Sequence, residues 1–204
     1  MVEVESLSPH PLFSAVRSSA QAPAFGLTLI CGPAGGGKSR WAEHLASCSG
    51  RQVVYLATGP LLPDDADWQQ RLERHRRRRP AQWLCREVGA ELAPALSELR
   101  DGQIALIDSL GTWVAAWLDA DAPLWCRCCD LLMEALRRSH APLLLVCEEV
   151  GWGVVPSSVA GGRFRQRLAE LEQRLMADAA AAWLVIAGRA LDLHQLSVPV
   201  PPEP

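Results

Sequence analysis

The chain is almost without lysine: Lys38 stands alone against nineteen arginines. Where arginine is the default cation, the one retained lysine calls for a chemical reason. Long apolar runs are missing as well. None approaches the ~18 residues needed to cross a bilayer, so no membrane span is expected. The seven cysteines (31, 48, 85, 126, 128, 129 and 147) do not supply the two CxxC pairs of a zinc site. Their odd number and apolar settings point to reduced thiols in the cytoplasm rather than a disulfide framework or a zinc site. Cys126, Cys128 and Cys129 are read as buried or incidental thiols, not as a metal set. There is no excess of positive charge either. A net charge of -3 argues against a general polyanion binder and leaves nucleic acid off the list of expected partners. No internal repeat is visible, and 204 residues suit one domain with a sizeable core.

The first 24 residues contain Glu3, Glu5, Pro9 and Pro11 without an uninterrupted apolar centre. They read as a poorly ordered extension, neither a secretory signal nor a transit peptide. The Pro-rich tail 197–204 is read the same way, which leaves residues 25–196 as one domain.

The lysine lies in LTLICGPAGGGKSRWAEHLA. An apolar β-type run, Leu27 to Cys31, is followed by Gly32, Pro33, Ala34, Gly35, Gly36, Gly37, Lys38 and Ser39. This is a full G-x-x-x-x-G-K-[ST] match, and helical spacing of Trp41, Ala42, Leu45 and Ala46 follows it. Glycines let successive backbone N–H groups curl around phosphate oxygens without Cβ clashes. The helix N-terminus adds partial positive charge. Lys38 supplies a compact cation for β and γ phosphates, and Ser39 a hydroxyl for Mg²⁺. The motif therefore predicts nucleoside triphosphate binding.

Further apolar runs at 52–57, 103–108, 142–147 and 182–187 read as strands buried on both faces. Helical patterns around 64–79, 90–100, 110–119, 124–139 and 162–180 alternate with them. The fold class expected is α/β: a P-loop NTPase-type parallel sheet flanked by helices on both faces. Ligands in such sheets sit at the carboxyl ends of the strands. Thr58, Gly59, Asp108, Ser109, Glu148 and Glu149 fall there. The strand IALIDS reads as a Walker-B type whose Asp108 holds Mg²⁺, although an Asp at that place also serves to cap the next helix.

In PDDADWQQRLERHRRRRP, acidic residues open a helix and arginines close it, which matches the macrodipole. At about 100° per residue, Trp68, Leu72, His75 and Arg79 form one stripe. A stripe of this kind faces the protein body, so His75 is expected inward, and Arg74 and Arg77 outward. An inward histidine among arginines suits a nucleophile beside a bound triphosphate or pyrophosphate.

Together these residues resemble the bifunctional adenosylcobinamide kinase / adenosylcobinamide-phosphate guanylyltransferase family of cobalamin biosynthesis. The resemblance runs from about Leu27 to Leu193. It rests on the P-loop with KSRWAE, on YLATG, on His75-x-x-x-Arg79-Pro80-x-x-Trp83, on Glu87, on LIDSLGTWV and on EVGWGVVP. It implies phosphorylation of adenosylcobinamide, then transfer of GMP from GTP through a guanylylated histidine at the His75 position. GTP and ATP are the implied nucleotide substrates, with Mg²⁺ held by Ser39 and Asp108. Arg76, Arg77, Arg78, Arg79 and Glu87 fall where the family binds GTP, as do Ala57, Thr58, Gly59 and Asp108. The implied partners are a corrinoid, nucleotides and copies of the same chain, since a trimeric assembly is known in the family. The chain departs from the family pattern at Ala116, Glu148, Gln166, Ala169 and Glu172, and Arg74 replaces a second histidine. A chain with one half-reaction, or a nucleotide-binding protein without turnover, are the alternative readings.

Overall fold

The computed structural model describes residues 24–201. The expected N-terminal extension lies outside them but for its last residue, as does the end of the tail. In chain order the elements are β1 (Leu27–Gly32), α1 (Lys38–Cys48), β2 (Gln52–Ala57), α2 (Ala66–Arg78), β3 (Leu84–Glu87), α3 (Leu92–Ser97), β4 (Gln103–Asp108) and α4 (Leu110–Ala116). They continue with α5 (Ala122–Arg138), β5 (Leu143–Glu148), α6 (Val159–Asp178), β6 (Ala181–Ile186), β7 (Arg189–Asp192) and α7 (Leu193–Leu196).

The strands form one seven-stranded sheet in the order β3-β2-β4-β5-β1-β6-β7. All neighbours are parallel except β6 and β7, which pair antiparallel. The alternation of side chains along each strand divides the core in two. Leu29, Leu56, Ile107 and Leu145 face one cluster, covered by α3, α4, α5 and α6. Ile30, Tyr55, Leu106 and Val146 face the other, covered by α1 through Ala42, Leu45 and Ala46. Helices thus lie on both faces, as the sequence pattern predicts.

Two strands were not foreseen. β3 is a short edge strand, Leu84-Cys85-Arg86-Glu87, with three exposed residues, so it carries no apolar run. β7 follows β6 through a tight turn at Ala187 and Gly188, both at positive φ, and its Arg and Asp ends hide it from an apolar criterion. The helix expected over 64–79 is shorter at both ends. Asp65 caps it by accepting from the Trp68 N–H (2.9 Å), and Arg79 is already extended.

All seven cysteines carry free thiols. Among the described residues no helix is long and apolar enough to cross a membrane.

Candidate active site

The carboxyl ends of β1, β4 and β5, with α2 across them, enclose a cavity of about 360 Å³. The loop from Gly32 to Gly37 forms its floor. A Cβ at Gly32 or Gly36 would run into the Val185 carbonyl of β6, so these two glycines let the loop pass close over the neighbouring strand. Gly37 leads into α1 with φ 109°, a conformation that favours glycine. Ala34, Gly35 and Gly37 line the cavity, while the Pro33 carbonyl accepts from Lys38 Nζ (2.9 Å). Lys38 is 7% exposed, and Ser39 follows it into the same cavity.

From the opposite side α2 contributes Arg74, His75 and Arg78. This corrects the expected orientation, in which Arg74 pointed away. Residues 74, 75 and 78 form a face centred on Arg78, turned from the Trp68–Leu72–His75 stripe, with His75 on the border of both. Arg79 lies beyond the helix end, where helical spacing no longer applies. Its guanidinium stacks 3.5 Å from the centroid of the Tyr55 ring and does not line the cavity. Arg77 points outward, as expected, and pairs with Glu73 (3.0 Å).

Asp108, at the end of β4, meets His75 directly: Asp108 Oδ2 stands 3.4 Å from Nδ1. The same oxygen accepts from the Tyr55 hydroxyl at 2.7 Å. Burial pushes the Asp108 carboxyl upward, but hydrogen bonds from His75, Tyr55 and Ser39 outweigh it. The net effect holds Asp108 below the usual carboxylate range and therefore ionised. For Tyr55, burial first and then the Asp108 charge push the phenol well above its ordinary value, so it stays a donor. Arg78 is clamped by Glu43 of α1 through Nε (3.2 Å) and Nη2 (3.0 Å), which ties the histidine-bearing helix to the P-loop helix.

Other residues implied by the resemblance lie around this centre rather than on its surface. The Thr58 hydroxyl is buried, donating to the Ser109 carbonyl (2.6 Å) and accepting from the Ser109 N–H (2.8 Å). Gly59 makes room for the Trp68 ring, which a Cβ would meet at 2.9 Å. The Ala57 carbonyl accepts from the Val88 and Gly89 N–H groups. Arg76 reaches Glu87 at 3.4 Å. Glu148, by contrast a departure from the family pattern, does line the cavity and closes its far wall; its carboxylate accepts from the Gly111 N–H (2.9 Å) and the Ser109 hydroxyl.

Sequence reasoning missed Tyr55, Glu43 and Arg40. Tyr55 is the sole tyrosine of the chain, yet inside an apolar strand it reads as core. Glu43 and Arg40 sit on the polar face of α1, where charge is ordinary. Among the described residues no group of three or more His, Cys, Asp or Glu side chains is placed to hold a metal ion. One ionised carboxylate and one serine hydroxyl fit a hard cation that keeps its waters and takes oxygens from a nucleotide.

The family model described as cobinamide kinase / cobinamide phosphate guanyltransferase matches residues 28–193. The bifunctional adenosylcobalamin biosynthesis protein CobP of Pseudomonas aeruginosa is 35% identical over 81% of this chain and 95% of its own length. The corresponding CobU of Escherichia coli is 32% identical over 79% and 96%. Solved structures share the fold at much lower identity. A Pyrococcus horikoshii protein superposes with TM-score 0.52 at 8% identity, covering 83% of this chain and 88% of its own. An ATPase of a bacterial type III secretion system gives 0.53 at 10%, covering 85% and 59%.

Proposed function

The chain belongs to the cobinamide kinase / cobinamide phosphate guanyltransferase family, and on that premise we propose that it runs both reactions from one phosphate cavity. The observation that carries the reading is the facing of Lys38 and His75 across that cavity. A phosphate clamp and a candidate nucleophile share one space.

In the first reaction the corrinoid hydroxyl oxygen attacks the γ phosphorus of a nucleoside triphosphate. The bond to the β–γ bridging oxygen breaks, the diphosphate leaves and the hydroxyl proton is released. Lys38 and the backbone N–H groups of the loop spread the developing charge. Ser39 and Asp108 would hold the magnesium that arrives with the nucleotide and supplies further charge neutralisation.

In the second, His75 attacks the α phosphorus of GTP and pyrophosphate leaves. Asp108 Oδ2 and Arg78 Nη2 both stand 3.4 Å from Nδ1. Once GTP draws Arg78 to its phosphates, the carboxylate takes the Nδ1 proton as a hydrogen bond and the Nε2 lone pair serves the phosphorus. Arg40, Arg74 and Arg78 offset the charge of the departing pyrophosphate. A phosphate oxygen of the corrinoid phosphate then attacks the guanylylated histidine. The P–N bond breaks and His75 is restored.

Residues 25–196 act as one catalytic domain in this account, and a homo-oligomer, trimeric by resemblance, is part of it. Sedimentation measures the latter. The activity is tested by incubating purified protein with GTP, Mg²⁺ and adenosylcobinamide and separating the corrinoids. Successive appearance of a phosphate and a guanosine diphosphate ester is expected; an unchanged corrinoid contradicts the reading.

A further inference from the structure

Glu148 lines two cavities, one on each side of its carboxylate. On one side lies the phosphate cavity. On the other is a cavity of about 410 Å³ between the end of β5 and α6, with Glu149, Val150, Ala169, Glu172 and Met176 among its walls. The two differ in chemistry. The first presents Lys38, three arginines and a glycine loop, a surface for phosphates. The second mixes three carboxylates and Gln173 with apolar side chains, and its one cation, Arg165, already donates to the Gly151 carbonyl (2.8 Å). This suits a ligand carrying hydroxyl and amide N–H donors on an aliphatic frame.

Its rim adds a second observation. The segment that leaves Val150 and Gly151 exposes Trp152 (57%), Val154 (95%) and Val155 (75%) in close succession. Three large apolar side chains so open to solvent mark a surface that meets something broad and weakly polar.

We infer that the second cavity is the acceptor site, taking the hydroxyl-bearing amide arm of the corrinoid past Glu148 while the macrocycle rests on the loop from Trp152 to Val155. This rests on the kinase and guanylyltransferase reading above. Glu148 is the wall across which acceptor and nucleotide meet. Both of its oxygens already accept from Ser109 and Gly111, so its orientation is fixed before either substrate arrives.

Two variants separate this inference from the reading beneath it. Ala169 is an exposed position of α6 on the cavity wall, and Trp152 is an exposed loop residue, so neither change removes core packing. Ala169→Trp fills the cavity, and Trp152→Ala strips the rim. In each, the KM for adenosylcobinamide is measured at saturating GTP, together with corrinoid-independent GMP labelling of the protein. KM is expected to rise about tenfold for Ala169→Trp and roughly threefold for Trp152→Ala, with labelling within about twofold of wild type. Intact labelling also reports that each variant is folded. Unchanged KM in both variants with labelling intact overturns the acceptor site alone. Absence of labelling in the wild type overturns the functional reading, and the acceptor site with it.

Discussion

His75 Nδ1 and Asp108 Oδ2 stand 3.4 Å apart, so the end of β4 holds the imidazole of α2 by its edge. Tyr55, one strand over, donates to the same carboxylate oxygen at 2.7 Å. Tyr55→Phe removes that donor without changing the ring that supports Arg79. Loss of one hydrogen bond to a charged group predicts a stability decrease of roughly 1–3 kcal/mol. GMP labelling should also slow several-fold, as the carboxylate that orients His75 loses an anchor. Urea unfolding and the labelling rate check both; wild-type values in each would detach Tyr55 from the site.

Lys38→Ala should abolish phosphorylation and guanylylation together. The lone lysine lies in the floor of the cavity, and removal of a phosphate-clamping cation costs several kcal/mol of transition-state stabilisation. Assay of each half-reaction with its own substrate measures this, and a variant that keeps either one near wild type removes the P-loop from that step.

The arginines of α2 should sort by partner. Arg78 lines the cavity and is clamped by Glu43, whereas Arg77 forms an exposed pair with Glu73 one turn away. Arg78→Ala is expected to weaken GTP binding about tenfold, a loss of ~1.4 kcal/mol. Arg77→Ala should change stability by no more than ~0.5 kcal/mol and leave GTP affinity intact. Calorimetric titration of both variants decides; equal losses would contradict the placement of Arg78.

How these arginines divide also shows what the sequence could reveal. The loop, Lys38, Ser39 and Asp108 were legible because each sits in a local motif whose backbone course follows from neighbouring residues. His75 was legible as inward, since it lies on the border of the apolar stripe and the cavity face. The roles of Tyr55, Glu43 and Arg74 were not. They depend on how α2 docks across three strand ends, a long-range fact that helical periodicity cannot carry. β3 escaped notice for a related reason, as an edge strand needs no apolar run. Glu148, Ala169 and Glu172, noted as departures from the family pattern, turn out to share the walls of the second cavity.

Glu172 predicts a pH dependence of stability. Burial, together with the nearby Glu149 charge and against a favourable hydrogen bond from Cys31, pushes its carboxyl up to about 7 from an ordinary 4.5. The folded state therefore favours the protonated form. Its stabilising contribution is full below about pH 4.5 and is lost as pH rises through about 7. Glu172→Gln should remove this component, so that its unfolding free energy declines less than that of wild type across this window. Parallel pH profiles of the two proteins would contradict the assignment.

The central claim is that His75 is the nucleophile, and GMP labelling of His75→Ala tests it most directly. Wild-type protein incubated with α-labelled GTP and Mg²⁺ should retain label through an acid-labile, comparatively base-stable bond and release pyrophosphate. His75→Ala should retain none and lose guanylyl transfer, yet keep much of the kinase step, because Lys38 and the glycine loop remain in place. Undiminished label on the His75→Ala protein would contradict the account and move the nucleophile elsewhere.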